Sequence, residues 1–237
     1  MNAIVADKRE VAKGTLMVVF DLLGEEVDFQ AGQYFFVNLI DPPFEDERGP
    51  RRHFSVVTPP SERGKLGFCT RIRDSGFKQS VKALSVGDKA DVEPPKGNFL
   101  LPEDTTRELV FVAGGIGITV FRCMLHAIED ANLPYRVTLL YSNRKVEETP
   151  FLDELRELEA RSDWLRIVLT MTEDEDWDGE TRRIDEQFFR DYLGDRFDDV
   201  TYLVAGPPSM ANAMKDVLIG AGVAEDRVRV DRFSGYD

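Results

Sequence analysis

The stretch FVAGGIGITVFRCML, residues 111–125, sets the strongest limit on the fold. An apolar run ends in three glycines within four positions, and a helical pattern follows at once. Such a unit is either a cradle for a phosphate or a tight turn that lets a helix pack close to a strand. The dinucleotide fingerprint G-x-G-x-x-G is not met, because Val120 follows Gly115 and Gly117 where the third glycine would stand. Taken alone, the spacing leaves both readings open.

The surrounding chain narrows the choice. From about residue 108, short apolar runs alternate with helical patterns. ELVFVAG precedes a stretch with Phe121, Met124, Leu125 and Ile128 on one face. RVTLLYS precedes a helix carrying Phe151, Leu155 and Leu158, and LRIVLTMT precedes IDEQFFRDYL. TYLVAG precedes a helix with Met210, Met214, Val217 and Leu218, and RVRVDRF adds a last strand. Strand then helix, four times, predicts a parallel α/β sheet with right-handed crossovers. Residues 1–98 read differently. TLMVVFDLL, YFFVNLI, RHFSVVT, LGFCTRIR and ADVEPP are short, β-rich and bounded by turn residues, with one helical segment, FKQSVKAL, at 77–84. This predicts an antiparallel barrel or sandwich. The domains are therefore expected at 1–98 and 108–237, with a joint over 99–107.

Composition removes several function classes. The chain has 237 residues, 42% hydrophobic and 31% charged, which suits one large or two small globular domains. A net charge of −14 argues against broad nucleic-acid binding. No window approaches the ~18 apolar residues of a membrane span, and the first residues, MNAIVADKREVAKG, lack the apolar core of a signal peptide. A cytoplasmic protein without membrane contact is expected. Cys69 and Cys123 are too few for a plant-type iron–sulfur cluster and read as buried thiols. With only His53 and His126 as histidines, no metal site is expected.

Ligands of an open parallel sheet sit at the carboxyl ends of its strands. Gly114, Gly115 and Gly117 lie at one such end, and Gly206, in TYLVAGPPSM, lies at another. Prolines 207 and 208 pre-set the turn before a helix. The intervening strand ends YSNR, offering Ser142, Asn143 and Arg144 where a ribose acid is common. Arginine there can accept a 2′-phosphate, whereas Glu147 and Glu148 oppose one. In the first half, Arg52 and Phe54 share a strand face and Ser55 takes the other. Arginine can fork onto phosphate, and an aromatic can cover a planar ring. The same residues also suit a strand with one core aromatic and solvated charges. SGFKQS offers Gly76, Lys78 and Ser80 at a helix start, as a phosphate site or as a capped surface helix.

Together these pieces resemble the ferredoxin–NADP reductase superfamily over nearly the whole chain. FQAGQYFFV is similar to its F-x-P-G-Q-Y/F segment, RHFS to R-x-Y-S, GFKQSVKAL to G-x-x-S-x-x-L, and PPKGNF to G-P-x-G-x-F. GGIGITVFRCML is similar to G-G-x-G-I-T-P-x-x-x-M-L, WDGETRRI to W-x-G-x-x-G-R-I, AGPPSM to C-G-P-P-x-M, and DRFSGY to E-x-F-x-G-Y.

The resemblance implies an antiparallel β-barrel flavin-binding domain followed by a parallel-sheet nucleotide domain, with FAD and NAD(P)H as cofactors. It implies that Arg52, Lys78, Gln79 and Ser80 hold the flavin pyrophosphate, that Phe54 flanks the ring, and that Ser55 bonds near its reactive N5. His53 and Thr70 complete the flavin contacts. Gly114, Gly115, Gly117 and Thr119 are expected to line the nicotinamide path, completed by Ala205, Gly206, Pro207 and Met210. Ser142, Arg144 and Arg183 are expected at the adenosine end, and Phe233 over a flavin face. Phe54 replaces the usual tyrosine, Val120 a proline, Arg182 a glycine, Asp231 a glutamate and Ala205 a cysteine. The last change is expected to slow or alter hydride transfer.

The implied activity is transfer from NAD(P)H through bound FAD to a separate acceptor, ferredoxin or flavodoxin, docked on a basic patch of Arg51, Arg52, Arg71 and Arg73. Reduction of free flavin or ferric chelates, or a non-catalytic role in electron transfer within a larger complex, are the alternatives.

Overall fold

Apolar alternation and turn residues divide the first hundred residues into short strands, and the computed structural model shows how they pair. It describes residues 1–233; Ser234, Gly235 and Tyr236 of the DRFSGY motif lie outside the described residues. Strands β1 (Asn2–Ala12), β2 (Thr15–Asp21), β3 (Tyr34–Leu39), β4 (Arg51–Ser55), β5 (Lys65–Arg71) and β6 (Lys89–Val92) form one antiparallel sheet in the order β4-β3-β6-β1-β2-β5. The chain just past β4 reaches the far edge strand, where Val57 N–H donates to Gly67 O at 2.9 Å. The sheet curls around a core that includes Val5, Phe20, Phe35, Phe68, Phe77 and Val92.

Strand β1 is absent from the sequence reading, although it lies inside the sheet between β6 and β2. Register shifts between Val5 and Asp7 and between Glu10 and Ala12 break its alternation. A bulge moves every later side chain to the other face, so no period of two survives in NAIVADKREVA. Helix α1 (Gly76–Ala83) is capped by Ser75, whose side chain accepts from Lys78 N–H, and it turns Phe77, Ser80 and Val81 inward.

The second sheet contains β7 (Leu109–Gly114), β8 (Val137–Asn143), β9 (Leu165–Met171), β10 (Thr201–Gly206) and β11 (Val228–Arg232), all parallel, in the order β11-β10-β7-β8-β9. A 3-10 turn, Gly115–Gly117, leads into α2 (Ile118–Asp130); α3 (Leu152–Arg161), α4 (Glu186–Leu193) and α5 (Pro208–Gly220) make the remaining crossovers. Every strand and helix expected after residue 108 is present. One face is packed by Phe188, Phe189, Phe197, Tyr202 and Leu218. The order reverses at β7, which has β8 on one side and β10 on the other. The glycine turn therefore stands at the switch point.

The chain forms two compact units, residues 1–101 with 119–133, and residues 102–118 with 134–237. The helix after the glycine turn thus counts, from Thr119, with the first unit. Among the described residues no helix is long and apolar enough to cross a membrane. Cys69 and Cys123 are free, buried thiols.

Candidate cofactor sites

In the first unit, β4 turns Arg52 and Phe54 to one side, as its period of two requires. The half-buried Phe54 ring stacks on Phe68 at 4.3 Å and 21°, with Phe77 at 5.7 Å. Phe68 is fully buried, so the half-buried Phe54 ring, backed by it, is the platform left for a planar flavin ring. His53, on the other face, meets Tyr34 edge-on and Phe36 at a tilt, both at 5.5 Å. Burial first, then Arg48 and Arg51, depress its pKa, which favours the neutral imidazole. Ser55 is half-buried opposite Tyr34.

The phosphate-binding residues are arranged differently from expectation. Arg52 pairs with Asp46 at 2.6 Å, and its Nη1 donates to the carbonyls of Arg48, Gly49 and Arg51. Ser80 is 1% exposed, and its hydroxyl donates to Phe44 O and accepts from Phe44 N–H. Gln79 Nε2 donates to Arg73 O. Lys78 keeps the character expected of an anion ligand: burial first, then Arg73, Arg52 and Arg48, hold its pKa down to about 8. Thr70 is fully enclosed, with one long contact of 3.5 Å to Arg71 O; it shapes the barrel from within.

The basic patch also needs correction. Arg51 is neutralised by Glu93 and lies 3.6 Å over the Phe36 ring, and Arg52 is only 14% exposed beside Asp46. Two of the four expected docking charges are therefore compensated internally.

In the second unit, the glycines divide the two roles that the sequence left open. A Cβ on Gly117 would lie 2.2 Å from Ala205 O and 2.8 Å from Gly206 N, so Gly117 permits the turn to touch the end of β10. Gly115 takes φ +52°, a left-handed value that glycine adopts at low cost, and its carbonyl accepts from the Tyr141 hydroxyl. Gly114 and Gly206 are different. A Cβ on either would meet Met210 Sδ, at 3.1 and 3.2 Å. They are the bare ends of adjacent strands under one flexible thioether. Thr119 is buried in the first turn of α2. Ala205 is fully buried; its carbonyl, not its side chain, faces Gly117. Pro207 caps α5. The Phe233 N–H donates to Gly206 O at 3.0 Å.

The end of β8 carries the expected Ser142 and Arg144, with Asn143 between them at 5% exposure. Arg144 points into acid surroundings: Glu173 Oε1 is 3.7 Å from its Nε, and Asp174 accepts from Val146 N–H. Arg183 is exposed. Its neighbour Arg182 is held by Glu180 and Asp191 at 2.7 and 2.8 Å, and Tyr192 donates to Glu180. The residue that replaces the family's glycine thus has its own acid clamp. The sequence reading missed Asp46, Glu173 and Glu180. None has a motif; each matters through a partner distant in the chain or through burial. Asp231 stood out in the sequence only as a substitution. Beside Ala205 in register, it has its pKa raised by burial to about 6.

A half-buried aromatic platform in an antiparallel barrel, followed by a parallel sheet with bare strand ends at its switch point, defines a flavin- and pyridine-nucleotide-dependent oxidoreductase module. Residues 2–100 match the family model of the oxidoreductase FAD-binding domain, and residues 111–216 that of the oxidoreductase NAD-binding domain. The chain belongs to the ferredoxin–NADP reductase superfamily, with FAD and NAD(P)H as its cofactors.

Similar proteins include one component of the Na(+)-translocating NADH-quinone reductase of Psychrobacter cryohalolentis, 26% identical over 90% of this chain and 62% of that protein. The phenol 2-monooxygenase reductase component DmpP of a Pseudomonas species is 27% identical, over 89% of this chain and 59% of the relative. The chain thus spans about three fifths of the length of these relatives. The FAD/NAD-binding domain of a Vibrio cholerae nitric oxide dioxygenase shares the fold at TM-score 0.84, with 20% identity and 98% of each chain covered. The ferredoxin reductase of a carbazole 1,9a-dioxygenase gives 0.81, with 23% identity, over 98% of this chain and 69% of that one.

Proposed function

We propose that this protein oxidises NADH and passes the electrons one at a time to a separate acceptor protein, ferredoxin or flavodoxin. The observation that carries this reading is the pairing, in one chain, of the Phe54–Phe68 platform with the bare strand ends at Gly114 and Gly206. Bound FAD supplies the chemistry, accepting a hydride and releasing single electrons. Phe54 orients the ring and Ser55 donates toward its reactive edge. Lys78, with Arg73 and Arg48 near it, attracts the pyrophosphate. Gly114 and Gly206 let the nicotinamide end approach the backbone, and Met210 closes over it.

The preference for NADH rests on charge. Arg144 lies against Glu173, with Glu147, Glu148 and Asp174 close in the same two loops. A 2′-phosphate there meets more acid than base. A cytoplasmic location is part of the same proposal.

The test is reconstitution with FAD, followed by anaerobic addition of NADH and of NADPH. Faster bleaching of the flavin band by NADH, then oxidation by ferredoxin or flavodoxin, is the expected result. Reoxidation by free flavin or ferric chelates alone would favour a diffusible-acceptor reductase. No bleaching by either nucleotide would overturn the reading.

A further inference from the structure

The place where the flavin pyrophosphate is expected already holds an anion belonging to the protein. Asp46 lies in the connection between β3 and β4. Its Oδ2 accepts from Phe77 N–H at 3.0 Å, in the first turn of α1. Its Oδ1 accepts from Arg52 Nη2 at 2.6 Å and from Arg48 N–H at 3.0 Å. A helix-start amide and an arginine fork are the donors that a phosphate oxygen seeks.

The loop that carries Asp46 is seated on α1 at two further points. Phe44 offers both its N–H and its carbonyl to the Ser80 hydroxyl. Gly76 lets the loop backbone lie against the helix start: a Cβ there would be 2.3 Å from Glu45 C and 2.8 Å from Asp46 N. Arg52 is drawn inward in turn, its Nη1 donating to two loop carbonyls, Arg48 O and Gly49 O, and to Arg51 O. Arg73, Arg52 and Arg48 nevertheless remain near Lys78, whose ammonium is depressed by burial first and then by these charges. The locality therefore still attracts a polyanion, while its best-placed donors are engaged by a carboxylate.

We propose that Asp46 is an internal competitor for the FAD pyrophosphate, so that FAD binds as an exchangeable cofactor whose loading displaces the 41–50 loop from Arg52 and the start of α1. This rests on the flavoprotein reading above. Riboflavin, which has no phosphate, does not compete with Asp46.

The experiment titrates the apoprotein with FAD and, separately, with riboflavin, following flavin fluorescence. Asp46→Asn keeps an acceptor for Phe77 N–H but removes the charge. It is expected to tighten FAD about tenfold, as removal of one contact charge implies, to leave riboflavin within about twofold, and to lose the gain at high salt. Ser80→Ala, which frees the loop without touching Asp46, is expected to tighten FAD in the same direction. Circular dichroism checks the fold of both variants. FAD affinity unchanged or weakened in both, with riboflavin binding intact, would overturn this inference alone. Binding of neither flavin by any form would overturn the flavoprotein reading and this inference with it.

Discussion

The two kinds of glycine at the switch point separate under alanine substitution. In Gly117→Ala the new methyl would sit 2.2 Å from Ala205 O, where van der Waals contact needs roughly 3.5 Å. Closing that gap moves backbone by about 1 Å between a buried turn and a buried strand end. Overpacking of this kind costs about 3 kcal/mol, which lowers the unfolding midpoint by roughly 6–12 °C for a chain of this size. In Gly114→Ala the methyl meets Met210 Sδ at 3.1 Å, and a thioether re-orients easily. Gly114 has φ −113°, open to alanine, so the smaller entropy of the unfolded chain offsets the contact and stability changes by less than about 1 kcal/mol. Its affinity for NADH should still fall, by about tenfold or more, because the methyl occupies the bare strand end. Trp164 and Trp177 both lie in the second unit, so tryptophan fluorescence during heating reads this unit, and nucleotide titration reads the site. Gly117→Ala melting within 3 °C of wild type would refute the packing argument. Gly114→Ala binding NADH like wild type would remove that strand end from the nucleotide path.

Other outcomes follow from the same geometry. The Arg182 guanidinium, then the Arg182 N–H and the Tyr192 hydroxyl, hold Glu180 down to about 2 from 4.5. Its stabilisation is present above pH 4.5 and is lost as pH falls toward 2, so Glu180→Gln should flatten stability over that window in acid titrations. Asp231, raised by burial from 3.8 to about 6, slopes the other way. Its contribution is full below pH 3.8 and is lost as pH rises through 6, a decline that Asp231→Asn should abolish. Glu173→Gln should improve the KM for NADPH severalfold and leave that for NADH nearly unchanged, in steady-state assays with each nucleotide. Phe54→Ala strips the platform from Phe68; flavin affinity should fall about a hundredfold, and urea unfolding should show a loss of roughly 2–4 kcal/mol. Burial pushes the Cys123 thiol up to about 12 and raises Cys69 further, so neither should react with a thiol reagent until the protein unfolds.

The second sheet was legible because each of its strands is a short apolar run and each helix has a clean 3.6 period. Both signals are local. The first sheet was legible except for β1, where two bulges scrambled the alternation that the pairing itself preserves. Ser80 illustrates a different failure. Its place in SGFKQS suggested a phosphate site, yet its hydroxyl is spent on Phe44, thirty-six residues away in the chain. Ala205 was read through its side chain, whereas the fold uses its carbonyl.

By itself the sequence determined the order of elements, the positions of the glycine turns and the aromatic–arginine strand, since these depend on residue types a few positions apart. Only the tertiary structure decided which glycine is packing and which is opening, and that Asp46 rather than solvent faces Arg52. It also decided that Arg144 answers to Glu173. Those outcomes depend on distances of a few ångströms between segments that the chain brings together only when its core is buried.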